Sequence, residues 1–193
     1  MVVILYVVPC APPPGGPVPP MKGVLILLAA VVALMAVVAV VGAMLPESHT
    51  TARSARFNQS QEAIWNAISD FGASPSWRDD VLEVRQLPDS DGHPVWREVY
   101  KDGSVLTLQT MEAWAPHRLV RRVDGADLQI GGNWIYEVMP SNGGTQLTIT
   151  EHGEVHNPII RFVSRFVVGH KATLDSYLKA LGRKFGEEVS ITE

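Results

Sequence analysis

The feature that most constrains the fold is a long amphipathic segment near the end of the chain, residues 157–185. Asn157 is a favourable helix N-cap, and Pro158 suits the first helical position, where no backbone N–H is needed. Apolar side chains then recur at steps of three and four residues, which places them on one helix face. The segment predicts one continuous helix, roughly 42 Å long at 1.5 Å per residue. The residues of the apolar face are Ile159, Phe162, Val163, Phe166, His170, Leu174, Tyr177, Leu181 and Phe185.

The preceding part of the chain predicts the sheet that this helix covers. Turn signals such as Asp91-Gly92 and Asn142-Gly143 separate runs rich in β-branched and aromatic residues, and such short connections require antiparallel pairing. Residues 52–58 predict a further strand, and residues 60–70 predict a helix capped by Ser60. We therefore expect an α+β fold, in which a curved antiparallel sheet of about seven strands wraps around the C-terminal helix. The runs are 81–87, 94–100, 105–114, 118–123, 133–139 and 145–155.

The N-terminal part contains a long apolar segment, and no charged residue occurs from position 23 to 46. As a helix, residues 24–45 would cross the ~30 Å hydrocarbon core of a bilayer. A cleaved signal peptide is the alternative, because Lys22 could supply its charged region and residues 41–43 resemble a cleavage site. The segment exceeds the roughly 7–15 apolar residues of a signal peptide, which favours a membrane anchor over residues 21–46. Because almost nothing precedes the span, we expect the following domain outside the cytoplasm, although flanking basic residues are nearly balanced.

The remaining boundaries follow from composition. Residues 1–20 are rich in proline, which excludes regular helix or sheet, so this leader is either disordered or the product of a mis-assigned start codon. It contains Cys10, the only cysteine of the chain, so the rest of the protein has no disulfide. The folded domain is expected over residues 50–187, and the acidic tail 188–193 is expected to fray.

Composition and motifs also limit the function. The net charge of -4 and the pI near 5.9 provide no basic surface for nucleic acid. His152 and His156 would lie about 13 Å apart on a strand, too far to share a metal ion. The HExxH, GxSxG and phosphate-binding glycine motifs do not occur in the sequence. We therefore expect no metal and no other cofactor.

The order of elements, together with the segments GGNWIYEV, GGTQLTITEHGEVHNPIIRF and SPSW, resembles the polyketide cyclase/dehydrase and lipid-transport (SRPBCC) superfamily. The resemblance covers residues 50–186 and includes START and pollen-allergen-like domains. It implies a helix-grip fold with a ligand cavity between the sheet and the long helix. It leaves the function open, because members include lipid carriers, hormone receptors, aromatic cyclases and proteins without a known ligand.

One carboxylate is expected to face this cavity. Alternation along residues 145–155 places Glu151 on the same face as Leu147 and Ile149. A buried carboxylate requires a partner, so Glu151 either anchors a ligand at one end of the cavity, lies at the sheet rim, or pairs with an arginine. The candidate arginines are Arg78, Arg97 and Arg121.

Other candidates lie on the long helix and among the aromatic residues. His170 is either a core histidine, bonded to a carbonyl or to Glu151, or a ligand donor. Gly169 beside it indicates a kink or a close approach, because glycine costs about 1 kcal/mol relative to alanine within a helix. Most aromatic residues are expected in the core, but Trp and Tyr also suit cavity walls. The candidate lining residues are Trp77, Trp96, Tyr100, Met111, Trp134, Tyr136, Glu151, Phe166, His170 and Leu174.

These features predict a membrane-tethered domain that binds a hydrophobic small molecule or lipid without chemistry. The alternative is an enzyme of the aromatase/cyclase kind, in which Glu151 and His170 act as general acid and base. A third hypothesis is an assembly module that uses the convex face of the sheet.

Overall fold

The computed structural model describes residues 21–125, 129–169 and 171–193, so His170 lies outside the described residues. Contacts divide the chain into two units, with the boundary after Val37. Helix α1, Met21–Met44, begins in the first unit and ends in the second. Its segment Lys22–Met44 has a mean hydropathy of 3.3, and its most apolar 18-residue window has no buried residue, whereas Gly42 near the end of the segment is buried. It is long and apolar enough to cross a membrane, a test that a signal sequence also passes.

The second unit contains an antiparallel sheet with the strand order β2-β3-β4-β5-β6-β7-β1-β8. The six strand runs predicted between residues 81 and 155 are confirmed, and the first strand begins earlier than predicted. The strands are β1 Ser48–Phe57, β2 Val81–Ser90, β3 His93–Tyr100, β4 Val105–Trp114, β5 Arg118–Gly125, β6 Ile130–Ser141, β7 Gly144–Val155 and β8 Ile191–Thr192.

The short strand β8 corrects the expectation that the tail frays. Ile191 and Thr192 pair with Ala55 and Ser54 of β1, so the tail extends the sheet at its edge. Pairing satisfies backbone groups of β1 that would otherwise remain open at that edge. The sheet therefore has one strand more than the seven expected from the sequence.

Helix α2, Gln61–Ser69, follows β1 as predicted, and the Ser60 side chain accepts a hydrogen bond from the Ala63 amide. A 3-10 turn over Phe71–Ser76 then leads into β2. The buried side chains of α2, Ile64 and Ile68, pack into the main core.

The C-terminal helical segment is broken, which corrects the prediction of one continuous helix. It comprises α3, Pro158–Val163, a π turn, Ser164–Val168, and α4, Ala172–Lys184. The break lies at Gly169, whose φ of 78° and ψ of 137° are accessible to glycine but strained for other residues. The indicated irregularity at Gly169 is therefore a complete interruption of the helix.

The break separates two halves with different burial. Leu174, Tyr177 and Leu181 of α4 are buried against the concave face of the sheet. Phe166 and Val167, in the π turn, are 60% and 72% exposed. The apolar residues before and after Gly169 do not cover one common surface, because a helix that stops and restarts loses its rotational register.

The core lies between α4 and the central strands. Phe57, Tyr136, Leu147 and Ile149 project from the concave face of the sheet and are fully buried there. An ion pair of 2.9 Å between Arg53 Nε of β1 and the α4 carboxylate Asp175 Oδ1 adds a polar connection at the edge of this layer.

Candidate ligand cavity

A cavity of about 200 Å³ lies between the concave face of the sheet and the break in the C-terminal helical segment. Trp134 and Glu151, which are opposite each other in the β6–β7 register, form one wall. Ser164, Gly169 and Thr173 form the wall on the helical side. The cavity lies at the interruption of the helical segment, because residues before, at and after Gly169 all line it.

Glu151 provides a carboxylate in this cavity. Its Oε1 lies 3.8 Å from His49 Nε2 on the neighbouring strand β1, and both side chains are less than one-fifth exposed. This is the ion pair that Glu151 makes in the described structure, so none of the three candidate arginines is its partner. The pair places a titratable group beside the apolar walls that Val123 and Trp134 contribute.

A second polar group is a buried cluster around Arg78. Arg78 Nη1 donates to Glu98 Oε2 at 3.0 Å, and its Nη2 donates to Asp80 Oδ2, also at 3.0 Å. The Tyr100 hydroxyl donates to Glu98 Oε2 at 2.7 Å and accepts from Arg78 Nη2 at 3.3 Å. Arg78 and Glu98 are almost fully buried, whereas Asp80 is half exposed. Arg78 therefore already has a partner other than Glu151.

Arg121 contributes a second buried guanidinium to the same region. Its Nη2 donates to the carbonyl oxygen of Ile68, and its Cζ lies 3.4 Å from the centroid of the Phe71 ring. Within the described ranges, no carboxylate oxygen lies within ion-pair distance of Arg121, and the Nε atoms of Arg78 and Arg121 have no hydrogen-bond partner. The region thus combines the guanidinium groups of Arg78 and Arg121 with one buried carboxylate, that of Glu98. Because the positive charges outnumber the buried negative charge, the region favours an additional hydrogen-bond acceptor or anion.

Burial keeps the neighbouring hydroxyl groups protonated. Burial, with a further contribution from the charge of Glu98, raises the pKa of Tyr100 above its ordinary value. Burial likewise raises the pKa of Tyr136 and of Tyr177. Although burial alone would lower the pKa of Arg78, its interactions with Tyr100, Glu98 and Asp80 raise it overall. At neutral pH the Arg78 guanidinium is therefore charged, and the phenols of Tyr100, Tyr136 and Tyr177 are neutral.

The polar cluster lies directly behind one wall of the cavity. Arg78, Glu98, Arg121 and Tyr136 surround a void of about 10 Å³, which is room for a single water molecule. Leu106, Val123 and Trp134 line both this void and the larger cavity. These shared side chains separate the larger cavity from the polar cluster.

The structure distributes the sequence-predicted candidates over several environments. Trp134 and Glu151 line the larger cavity, and Tyr100, Trp134 and Tyr136 line the polar void. Trp77, Trp96 and Leu174 belong to or pack against the core without lining either space. Met111 and Phe166 are exposed, since Met111 lies at a register shift of β4 and Phe166 in the π turn. His170 is outside the described residues.

Two residues of the polar cluster were not singled out from the sequence as cavity groups. Glu98 lies on the same face of β3 as Trp96 and Tyr100, and Arg121 lies on the same face of β5 as Leu119 and Val123. A charged residue at an inward position of such a strand was the available signal. Among the described residues, no three His, Cys, Asp or Glu side chains come together in an arrangement that could hold a metal ion.

Comparison with protein families assigns the fold. Residues 48–185 match the family described as polyketide cyclase / dehydrase and lipid transport. The chain belongs to this family. The match runs from β1 through α4, so the cavity, the polar cluster and the helix break all lie within the polyketide cyclase/dehydrase and lipid-transport domain.

Solved structures share this helix-grip architecture at low sequence identity. A START superfamily protein from Mycobacterium smegmatis is 19% identical with a TM-score of 0.56, over 70% of this chain and 96% of that one. A conserved protein from Geobacillus kaustophilus is 14% identical with a TM-score of 0.60, over 75% and 100% of the two chains. Norcoclaurine synthase from Thalictrum flavum is 12% identical with a TM-score of 0.56, over 73% and 95%. The comparison with curated proteins gave no match.

Proposed function

We propose that this protein is a membrane-tethered domain that binds or carries a hydrophobic small molecule or lipid in the cavity between the sheet and Gly169. The cavity itself is the observation that supports this function most directly. Its lining combines apolar side chains such as Val123 and Trp134 with a few polar groups, among them the partly buried carboxylate of Glu151 and the exposed carboxylate of Glu154, as in many sites for apolar ligands.

The size of the cavity limits how a ligand is accommodated. Its volume of about 200 Å³ is below the roughly 300–1,000 Å³ of typical ligand sites. A lipid chain therefore requires movement of the segment that carries Ser164 and Gly169. The polar end of the ligand is directed toward Arg121, which has a buried charge without a carboxylate partner among the described residues.

The tether corresponds to residues 21–46, with the ligand-binding domain outside the cytoplasm. The mean hydropathy of 3.3 over Lys22–Met44 supports membrane association. Protease treatment of sealed inside-out and right-side-out vesicles tests the orientation, because the domain is digested only when it faces the protease. Digestion of the domain only in inside-out vesicles would contradict the proposed orientation while leaving ligand binding intact.

Extraction of bound molecules tests the binding function. The full chain is purified in detergent, extracted with organic solvent and examined by mass spectrometry, beside T173F and S176F variants. Both positions are exposed on α4, but only Thr173 lines the cavity. We expect a lipophilic compound with the wild type and S176F, and much less with T173F. Equal recovery from all three proteins would contradict the cavity as the binding site.

The R121M variant tests the direction of the ligand. Loss of a charge-assisted hydrogen bond weakens binding by about 1.5–3 kcal/mol, which corresponds to roughly tenfold or more in affinity. Affinity of R121M for the extracted compound, measured by displacement of a fluorescent fatty-acid probe, is expected to fall by that factor. Unchanged affinity places the polar end elsewhere, for example at Glu151.

The alternative function is an enzyme that uses Glu151 in proton transfer, with His170 as its proposed partner. The similarity to norcoclaurine synthase and the carboxylate in the cavity wall favour this alternative. An E151Q variant distinguishes the two functions. General acid–base catalysis contributes about 10²–10⁴-fold in rate, so an enzyme would lose turnover while retaining ligand. A carrier returns the bound compound chemically unchanged in both forms.

A further inference from the structure

An exposed apolar surface lies on α3 and the following π turn. Ile159 and Val163 of α3 and Phe166 and Val167 of the π turn are all exposed, although aliphatic and aromatic side chains of this size usually lie in the core. Phe162 and Phe166 are in ring contact, with centroids 4.9 Å apart. We call these four exposed residues the α3 apolar face. It lies on the side of the helical segment away from the sheet core.

The start of α3 lies against the last turn of α1, within the second unit. A methyl group added at Gly42 would lie 1.9 Å from the carbonyl oxygen of Pro158, so the two backbones are in direct contact. Arg161 donates from Nη1 to the carbonyl oxygens of Gly42 at 3.3 Å and of Leu45 at 2.9 Å. α3 is therefore held at the level where the apolar segment Lys22–Met44 ends. If that segment crosses a bilayer, this level is the membrane interface.

The same region adjoins the ligand cavity. A groove of about 250 Å³ runs between residues 45–49 and α3, and Arg161 and Arg165 lie along it. His49 and Val155 line both this groove and the ligand cavity. Ser164, the first residue of the π turn, and Gly169, which follows the turn, line the cavity from the helical side. The α3 apolar face thus lies on the outer side of the segment that closes the cavity.

We propose that the α3 apolar face inserts into the bilayer interface, and that the ligand passes between the bilayer and the cavity at the Ser164–Gly169 break. The proposal rests on the membrane tether of the proposed function. The α3 apolar face is continuous with the end of the apolar α1 segment, which identifies lipid as its occupant. Insertion of its four exposed side chains into the bilayer interface removes their apolar area from water. Arg165, exposed on the same segment, faces lipid phosphate groups.

Site-specific fluorescence in vesicles tests the proposal. The full chain carrying C10S receives a single cysteine at Phe166 or Met139, each labelled with an environment-sensitive dye. It is then reconstituted into phosphatidylcholine vesicles with and without phosphatidylglycerol, and nitroxide-labelled lipids serve as quenchers. Met139 is a matched control because it is 65% exposed, close to the 60% of Phe166. It pairs with Gln146 on β7, roughly 30 Å along the strand from Val155.

The expected result is blue-shifted emission and severalfold stronger lipid quenching at position 166 than at position 139. Equal, water-like emission at both positions would overturn the proposal. The dye at position 166 could instead be shielded from water without being quenched by the nitroxide lipids, and this shielding could disappear when the protein is diluted into excess vesicles. That result would identify a second copy of the chain as the occupant of the α3 apolar face, and it would also overturn the proposal. If the chain does not float with the vesicles in a density gradient, both the membrane tether and membrane insertion of the α3 apolar face are excluded. Extraction of a bound compound from the purified chain would still support ligand binding in that case.

Discussion

Arg161 donates a hydrogen bond of 2.9 Å from Nη1 to the carbonyl oxygen of Leu45, a residue 116 positions earlier in the chain. The same buried guanidinium donates to the Val155 carbonyl oxygen through Nε and to Glu47 Oε1 through Nη2, both at 3.0 Å. Carbonyl groups at a helix C-terminus lack partners within the helix, and Arg161 satisfies them at the end of α1. One side chain thereby joins the end of α1, the end of β7 and α3.

Replacement of Arg161 by methionine is expected to destabilise the domain. The substitution leaves several buried carbonyl groups without a donor, and an unsatisfied buried polar group costs about 1–3 kcal/mol. We expect a loss of that size in the free energy of unfolding, measured by denaturant titration of the detergent-solubilised chain. R165M is the control, because Arg165 lies on the same segment but is exposed. Similar stabilities of R161M and R165M would contradict a structural role for the Arg161 contacts.

The second prediction concerns the effect of replacing Gly169, the residue at the helix break, on stability and ligand binding. Alanine at its φ of 78° is strained, so G169A is expected to lose about 1–3 kcal/mol or to shift the segment toward a continuous helix. Either change alters the mouth of the cavity and therefore reduces binding of a fluorescent fatty-acid probe. Gly186 is a matched control, with a φ of 71° and nothing within 4 Å of an added methyl group, and it does not line the cavity. G169A and G186A should lose comparable stability, but only G169A should lose probe binding.

The ion pair of Arg78 with Glu98 leads to a third prediction. Removal of one partner of a buried pair typically costs about 3–5 kcal/mol, because the remaining charge stays buried. We expect E98Q to lose most of this amount, measured as a lower midpoint in thermal and denaturant unfolding. The control is E83Q, since Glu83 pairs with Arg85 at the surface and surface pairs contribute about 0–1 kcal/mol. A small effect of E98Q would mean that Asp80 compensates Arg78 sufficiently.

Tyrosine ionisation provides a prediction about pH. The pKa values of Tyr100, Tyr136 and Tyr177 are raised, chiefly by burial, above the ordinary value of about 10. Their contribution to the free energy of unfolding is complete below pH ~10. It decreases above that pH, because the unfolded chain then releases protons that the folded chain retains.

Ultraviolet absorbance during an alkaline titration measures this directly. The chain has four tyrosines. In the native protein, at most one of them should ionise near pH 10, because Tyr100, Tyr136 and Tyr177 should ionise only together with unfolding, which circular dichroism follows. All four should ionise near pH 10 in concentrated denaturant. Ionisation of two or more tyrosines in a protein with native circular dichroism would show that the cluster is not closed to solvent.

The sequence alone determined the strands, their antiparallel pairing and the first core helix. Alternation with a period of two and turn residues such as Asp91-Gly92 are local signals, and short connections leave no room for parallel crossovers. The Ser60 cap of α2 was equally local, since its partner is only three residues away. Alternation placed Glu151 and Trp134 on the concave face of the sheet, where both line the cavity, but Tyr136 on the same face lines only the polar void, and ligand contact by any of them stays a prediction.

Tertiary structure decided the remaining features, because they depend on residues distant in the chain. The partner of Glu151 is His49 on the neighbouring strand, and the partner of Arg78 is Glu98, neither of which a spacing rule identifies. The apolar spacing of residues 157–185 was compatible with one helix, and only packing against the sheet shows that the helix stops at Gly169. A hydrophobic period specifies which side chains can share a face. Whether they do so depends on the surface they meet.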